Sequence, residues 1–212
     1  WLKNGTIVAS SSPWASPIVI ATHPRTGKLR FCLDYRGLNA RTVPDSYVMP
    51  RIEQLVRAVH GCVVFSKVDL TQGFNQIPMD QKTAAMTAFR GPRGALYEFA
   101  GAPFGLRNLP AAFQRMMDRV LGDMAWISAS VYLDDVIIFS KSLSDHHDHL
   151  SQLAARLRTH NLFARASKCT FYQSQVEYLG YIIGSNSLRV MPDRVEKILN
   201  CPPPTSRQEL RR

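Results

Sequence analysis

The 212-residue sequence has no long apolar segment. Its longest apolar stretches, around residues 131–133 and 136–139, fall far short of the roughly 18 residues that indicate a membrane span. Residues 1–6 also lack the charged start and the long apolar stretch of a signal peptide. We therefore expect no membrane partner, and the abrupt start and end of the sequence favour a piece of a longer polypeptide.

Cysteine is scarce, and its four positions are far apart: Cys32, Cys62, Cys169 and Cys201. They show neither the spacing of metal ligands nor the framework of a disulfide-rich domain. This pattern predicts a reducing, intracellular setting. The sequence also has no internal repeat.

Acidic residues are outnumbered, since 26 Lys and Arg stand against 16 Asp and Glu, which gives a formal net charge of +10. This excess favours a polyanionic partner through phosphate neutralisation and counterion release. A basic, solvated surface is the other interpretation of the charge alone. With 45% apolar residues the chain can bury a sizeable core, so the composition indicates a globular protein.

Apolar periodicity and turn residues predict hairpins with helices inserted between them. The predicted strands are residues 17–21, 29–33, 63–68, 86–89, 96–99, 128–133, 136–140, 176–183 and 188–190. The predicted helices cover residues 50–61, a segment from 108 to beyond 120, and 144–159, and a capping box at 206–209 opens another after a proline-rich linker at 201–205. This order favours an α+β fold in which helices cover an antiparallel sheet.

Two adjacent acids, Asp134 and Asp135, separate two apolar strands. Taken alone they are more typical of an ordinary hairpin turn than of a site. Asp69 ends another apolar strand and could lie beside them, although it could also cap a helix. Three carboxylates at adjacent strand ends can hold two Mg²⁺ ions for phosphoryl-transfer chemistry.

A series of motifs surrounds these acids, and their order makes the combination specific. They are RFCLDYRGLN at 30–39, FSKVDLTQGFNQI at 65–77, PFG at 103–105, AFQ at 112–114, VYLDDV at 131–136 and YLGYI at 178–182. Together they resemble the polymerase region of gypsy-like long-terminal-repeat retrotransposons, including the YxDD box of reverse transcriptases. The resemblance implies a right-hand polymerase with fingers and palm, the palm an antiparallel sheet with a ferredoxin-like core backed by helices.

The resemblance implies that Asp69, Asp134 and Asp135 form the catalytic, metal-binding triad. Asp69 and Asp134 would bridge two Mg²⁺ ions, or Mn²⁺ in their place. Asp135 would be more peripheral, and the backbone carbonyl of Leu70 would add a ligand.

The resemblance also implies a pocket for the incoming nucleotide. Phe74 matches the steric-gate aromatic that excludes nucleotides with a 2′-hydroxyl, although by itself it could be a core residue. Phe104 is expected to pack near the nucleotide's sugar.

Two arginines of the predicted fingers hairpin would bind the triphosphate. Arg30 matches a fingers arginine, although by sequence alone it is an exposed strand residue. The family usually has lysines just upstream. Here His23, Arg25 and Lys28 are the alternatives, and Arg25 is favoured for its charge and placement.

Template and primer contacts are implied at two places. Asp34 and Arg36 match residues that brace the template strand, and a cross-strand ion pair between them is the alternative. Leu179, Gly180 and Tyr181 match the primer-grip hairpin, which holds the primer 3′ end towards the metals.

Four further features have weaker functional interpretations. Gln114 and Arg115 could face the template, but a solvated helix face is favoured. Lys168 is favoured as a surface lysine over a phosphate contact. The DHHDH segment at 145–149 lacks the ligands of a zinc site and is interpreted as a solvated helix start.

The resemblance divides the chain into fingers at 1–64, palm at 65–89, a fingers return segment at 90–110, palm at 111–200, and a linker with the start of a thumb at 201–212. It implies RNA-directed and DNA-directed DNA synthesis from dNTPs on a primer paired to an RNA or DNA template. Protease, RNase H and integrase domains of the same polyprotein are expected partners, in a cytoplasmic particle or in the nucleus. The alternatives are an inactive nucleic-acid-binding fragment and an RNA-templated RNA polymerase, against which Phe74 argues.

Overall fold

The structure is a computed structural model that describes residues 1–22, 27–185, 187–200, 203 and 206–207. The predicted linker at 201–205 and the capping box at 206–209 lie largely outside the described residues. Across the part that is described, no helix is both long and apolar enough to cross a membrane.

Twelve strands and six α-helices make up the regular structure of the described residues. The strands are β1 (Ile7–Ala9), β2 (Ile18–Thr22), β3 (Leu29–Leu33), β4 (Val64–Asp69), β5 (Phe89–Arg90), β6 (Leu96–Phe99), β7 (Ala129–Tyr132), β8 (Asp135–Ser140), β9 (Thr170–Gln173), β10 (Gln175–Tyr178), β11 (Tyr181–Gly184) and β12 (Ser187–Val190). The helices are α1 (Arg36–Arg41), α2 (Ile52–Ala58), α3 (Gln81–Met86), α4 (Leu109–Leu121), α5 (Leu143–Thr159) and α6 (Pro192–Leu199).

The central sheet has the strand order β7-β8-β4-β9, and every neighbouring pair is antiparallel. Its elements follow one another along the chain as β4, α4, β7, β8, α5 and β9. This is the ferredoxin-like arrangement, in which two βαβ halves interlock. The prediction of an α+β fold with a ferredoxin-like core is confirmed.

Helix α4 shows why the main core forms on this sheet. Phe113, Met117 and Val120 recur at helical spacing and are at most 2% exposed, packed with the apolar residues of β7 and β8. Burying each such side chain contributes roughly 1.5–3 kcal/mol to folding. Pro110 lies in the first turn of the helix, where the missing backbone N–H costs no hydrogen bond.

Smaller sheets surround this core. They are β1-β6-β5, the hairpin β2-β3, and the meander β10-β11-β12. Leu55 of α2 and Val59, directly after the helix, pack into a second apolar cluster with residues of β4, β8 and the meander.

Several predicted elements differ from those observed. The strand predicted at 86–89 is reduced to β5, because Met86 ends α3. The single strand predicted at 176–183 is divided by a turn into β10 and β11. Asp69 caps no helix, because the next helical turn begins at Gly73. The elements β1, α1, α3, β9 and α6 were not predicted.

A buried histidine joins α5 to the two central strands. His146 is 0% exposed, and its ring bonds Ser66 of β4 at 2.6 Å through Nε2 and Ser140 of β8 at 2.8 Å through Nδ1. The Ser140 hydroxyl also lies 2.8 Å from Nδ1 of His149. The prediction of a solvated helix start is therefore wrong for His146, because two buried hydroxyls satisfy both ring nitrogens.

Candidate active site

Asp69 and Asp135 lie directly opposite each other where two central strands pair. Asp69 is the last residue of β4, Asp135 is the first of β8, and the antiparallel register pairs them. Both residues are half-buried. The strand ends therefore place two carboxylates at one edge of the sheet, as the sequence predicts.

Asp134 belongs to the two-residue turn between β7 and β8. Its partner in the turn, Leu133, has a φ of +57°, a conformation that non-glycine residues rarely adopt. The backbone N–H of Leu70 donates to the carbonyl of Asp134 over 3.4 Å, which joins this turn to the end of β4. All three predicted acids, and the predicted ligand residue Leu70, thus belong to one small region.

The side chain of Gln114 of α4 holds this turn through hydrogen bonds to its backbone. Its Oε1 accepts from the Leu133 N–H at 3.0 Å, and its Nε2 donates to the Val131 carbonyl at 3.0 Å and to Asp118 at 3.0 Å. The side chain is 0% exposed, so no template can reach it. The prediction of a solvated helix face is wrong for Gln114, and sequence reasoning missed its role as a support for the turn.

Tyr178 supports the start of β8, directly after this turn. It is 1% exposed, and its hydroxyl donates to the backbone carbonyl of Asp135 at 3.0 Å. Burial raises the pKa of Tyr178, so its hydroxyl keeps the proton that it donates. Gln114 and Tyr178 together hold the backbone that carries both acids.

Two lysines neutralise part of the negative charge. Lys67 Nζ lies 2.9 Å from Asp135 Oδ1, and Lys168 Nζ lies 3.6 Å from Asp69 Oδ2. Lys168 therefore contacts an acid of the triad, where the sequence favoured an ordinary surface lysine. Within the described ranges, no three His, Cys, Asp or Glu side chains converge as a ready metal-ligand group.

A turn of the β10-β11 hairpin faces these acids across a groove of about 660 Å³. Asp69, Asp135, Leu179 and Gly180 all line this groove, whereas Tyr181 pairs with Val190 of β12. Leu179 and Gly180 have φ values of +51° and +81°, which are typical of the tight type I′ hairpin turn. The structure thus brings two of the three predicted primer-grip residues onto the same groove as Asp69 and Asp135.

Phe74 and Phe104 form an aromatic pair next to the turn of Asp134. Their ring centroids are 5.0 Å apart, and Phe74 also makes an edge contact with Phe113 at 5.1 Å. Phe74 is 9% exposed, whereas Phe104 is 58% exposed and lines an apolar cavity of about 630 Å³ with the β3 residue Phe31. A Cβ atom on Gly73 would lie 3.1 Å from Cβ of Asp134, so glycine allows this segment to approach the acid.

The predicted fingers residues are less closely associated with the acids. Asp34 and Arg36 form an ion pair at 2.6 Å, but they are two residues apart at the start of α1, so the predicted cross-strand pair is wrong. Hydrogen bonds from Arg36 lower the pKa of Asp34 to about 2. Arg30 lies on β3 opposite Ala21, with its side chain outside the described part of the structure. Arg25 lies outside the described residues.

Arg115 of α4 does not face a free groove either. It forms an ion pair with Asp45 at 2.7 Å and lies over the ring of Tyr47 at 4.9 Å. The residue therefore joins α4 to the segment before α2.

The ferredoxin-like sheet, with carboxylates at adjacent strand ends, is the arrangement that the resemblance to polymerases predicts. A family model described as reverse transcriptase (RNA-dependent DNA polymerase) matches residues 20–183, which is most of the chain. The chain therefore belongs to the reverse transcriptase family. The resemblance inferred from the motifs is confirmed.

Among similar proteins are polyproteins of transposable elements. The chain is 37% identical over 99% of its length to the retrovirus-related Pol polyprotein from transposon 297 of Drosophila melanogaster. It is 34% identical over 99% of its length to the transposon Tf2-3 polyprotein of Schizosaccharomyces pombe. The chain spans 20% and 16% of these two relatives.

Among solved structures, a foamy viral protease-reverse transcriptase in complex with double-stranded DNA has a TM-score of 0.85 at 25% identity. The match covers 99% of this chain and 36% of the viral one. A foamy viral protease-reverse transcriptase in complex with an RNA/DNA hybrid has a TM-score of 0.84 at 24% identity and supports the fold.

Proposed function

We propose that this chain carries the active site of a reverse transcriptase that extends a primer with dNTPs on an RNA or DNA template. The observation that carries the proposal is the pairing of Asp69 with Asp135 at adjacent strand ends, in one groove with the turn at Leu179 and Gly180. This groove would place a primer 3′ end beside the acids.

The chemistry of the three carboxylates would suit divalent cations. Asp69, Asp134 and Asp135 are half-buried, hard oxygen ligands of the kind that Mg²⁺ and Mn²⁺ prefer. Two of them already hold ammonium groups, which indicates that this edge of the sheet attracts cations. Asp69, Asp134, Asp135 and the Leu70 carbonyl are the residues that would hold the ions.

Bound there, the ions would lower the pKa of the primer 3′-hydroxyl and stabilise negative charge on the departing pyrophosphate. The protein's own contribution is positioning, since Gln114 and Tyr178 fix the backbone of the acids through buried hydrogen bonds. The turn at Leu179 and Gly180 would orient the primer strand.

The aromatic pair supports dNTPs as the substrate. The exposed ring of Phe104 would pack against the sugar, and Phe74 below it would leave no room for a 2′-hydroxyl. Arg30 and Arg25 would bind the triphosphate, and Asp34 with Arg36 would brace the template.

We also propose the division into fingers at 1–64, palm at 65–89, fingers at 90–110 and palm at 111–200, followed at 201–212 by a linker and the start of a thumb. The central sheet supports this division, because its strands and both covering helices fall in the two palm segments except for the first residues of β4 and α4. Because the relatives are polyproteins, we propose protease, RNase H and integrase domains as partners within one polyprotein.

A primer-extension assay tests the proposal. The purified chain is given a DNA primer on an RNA template with Mg²⁺ or Mn²⁺ and either dNTPs or NTPs. We expect Asp134→Asn to abolish incorporation, because it removes a charged metal ligand, while primer–template binding measured by fluorescence anisotropy stays near that of the wild type. Asp148→Asn makes the same change at an exposed position of α5 and is the control.

Each result has a distinct meaning. Full activity of Asp134→Asn would refute the assignment of the acids. Binding without extension by the wild type would support the alternative of a nucleic-acid-binding fragment. Incorporation of NTPs in preference to dNTPs would favour an RNA polymerase.

A further inference from the structure

Two acids of the proposed metal site carry their own cations in the structure. The ammonium groups of Lys67 and Lys168 contact Asp135 and Asp69, respectively. Asp134, the third acid, has no such partner among the described residues. The charge at this edge of the sheet is thus partly compensated before any divalent ion binds.

The position of Lys67 follows from the geometry of the sheet. It lies two residues before Asp69 on β4, so both side chains project from the same face. Its direct partner on β8 is Ile137, which makes its contact with Asp135 a diagonal one across the two strands. Lys67 and Asp69 are the two charged residues of a strand that is otherwise almost entirely buried.

The lysine side chain is held in a restricted place. Lys67 has a side-chain exposure of 25%, against 57% for Lys168. A charged group in a largely buried strand needs a partner, because removing it from water is costly. Asp135 supplies that partner at 2.9 Å, so the pair helps to stabilise this edge of the sheet.

Ammonium groups and divalent cations would compete for the same carboxylate oxygens. An ammonium at hydrogen-bonding distance occupies lone pairs that a metal needs, and it repels a second cation placed a few ångströms away. Both lysines line the groove of about 660 Å³ next to the acids, so each has open space into which it can turn.

We propose that Lys67 and Lys168 are resident counterions of the metal-free triad, which divalent cations displace into the groove when they bind. Lys67 is the principal counterion, because its contact is shorter and less exposed. The proposal rests on the proposed function, since it takes these acids to be the metal ligands.

The test measures binding of Mn²⁺ alone, without nucleotide or primer–template, from the electron paramagnetic resonance signal of the free ion. We expect Lys67→Met to bind Mn²⁺ about tenfold more tightly than the wild type, equivalent to about 1.4 kcal/mol of relieved repulsion. For Lys168→Met we expect roughly a threefold gain, because its longer, exposed contact is more strongly screened. Lys82→Met, an exposed lysine of α3, should leave the affinity unchanged.

A second readout is thermal unfolding. Metal-free Lys67→Met should unfold at a lower temperature than the wild type, because Asp135 has lost its counterion, and Mn²⁺ should raise that temperature more than it does for the wild type. If circular dichroism shows that Lys67→Met does not fold, the Mn²⁺ affinity of Lys168→Met tests the proposal instead. Tighter binding than in the wild type would support the proposal, and equal or weaker binding would overturn it.

The outcomes separate the two proposals. Equal or weaker Mn²⁺ binding by a folded Lys67→Met, with binding lost in Asp69→Asn, would overturn the counterion proposal and leave the metal site in place. Unchanged binding in Asp69→Asn would instead refute the metal site itself.

Discussion

Replacement of Gln114 tests whether the turn that carries Asp134 depends on a buried amide. Gln114→Leu keeps a similar volume but removes the bonds to the Leu133 N–H, the Val131 carbonyl and Asp118. Water cannot replace these bonds, because Gln114 is 0% exposed and Val131 is 2% exposed. The turn therefore loses the contact that stabilises the left-handed conformation of Leu133.

The magnitude follows from the groups left without partners. A buried polar group without a hydrogen bond costs about 1–3 kcal/mol, and at least two such groups are created here. The leucine regains part of this through its apolar surface, so we expect the free energy of unfolding to fall by about 2–4 kcal/mol. A displacement of Asp134 by about 1 Å would reduce primer extension roughly 100-fold.

Urea unfolding measures the free energy of unfolding, and a primer-extension assay on the same preparations measures the loss of activity. Gln152→Leu, the same change at an exposed position of α5, is the control and should stay within about 0.5 kcal/mol of the wild type. If Gln114→Leu also unfolds within that range and extends primers at the wild-type rate, then the amide does not support the turn.

Two further predictions concern the packing around the site. Burial lowers the pKa of His146 in the folded chain, so as the pH falls the unfolded chain binds a proton at this residue before the folded chain does. The contribution of His146 to the free energy of unfolding should therefore be complete above about pH 6.5 and decrease as the pH falls below that value. Urea titrations from pH 5 to 8 measure this slope, which His146→Gln should flatten; an equal slope in that variant would assign it to other groups. A Cβ on Gly101 would lie 1.9 Å from the backbone oxygen of Asn75, so Gly101→Ala should lower the free energy of unfolding by about 3 kcal/mol. Unfolding of this variant at the wild-type urea concentration would show that the backbone relaxes without cost.

The parts of the site that the sequence predicted are those determined by strand pairing. The apolar runs of β4 and β8 indicate two largely buried strands, and the ends of these runs indicate where each strand stops. Because Asp69 and Asp135 are terminal residues of these strands, their meeting follows once the strands pair. The motifs then indicated which strands pair.

Elements without a periodic apolar pattern were missed. Strand β9 is exposed throughout, so it has no buried face that an apolar pattern could indicate. Its pairing with β4 defines it as a strand. Helix α1 has six residues and no side-chain cap. The turn at Leu179 lies within an apolar run, and leucine is a residue that sequence rules exclude from positions with positive φ.

The side-chain supports could not be predicted for a different reason. The helical spacing of α4 does not indicate whether Gln114 faces solvent or the protein interior. Gln114 is buried because α4 packs close to the turn between β7 and β8, and this tertiary contact is not visible in the sequence. His146 presents the same difficulty, because its burial depends on two serines of β4 and β8 that are satisfied only in the folded sheet. Buried polar groups of this kind become recognisable when their partners are in place.

Both turns next to the groove contain a leucine in the left-handed conformation, Leu133 beside the acids and Leu179 at the hairpin opposite. Such a conformation costs of order 1–3 kcal/mol and persists when surrounding contacts determine it. Tertiary contacts of this kind are present at both places. Gln114 bonds the N–H of Leu133, and the carbonyl of Gly180 accepts from the N–H of Met191 at 3.1 Å. Both strained leucines therefore lie where two backbones face each other across one groove, as the proposed placement of a primer end beside the acids would require.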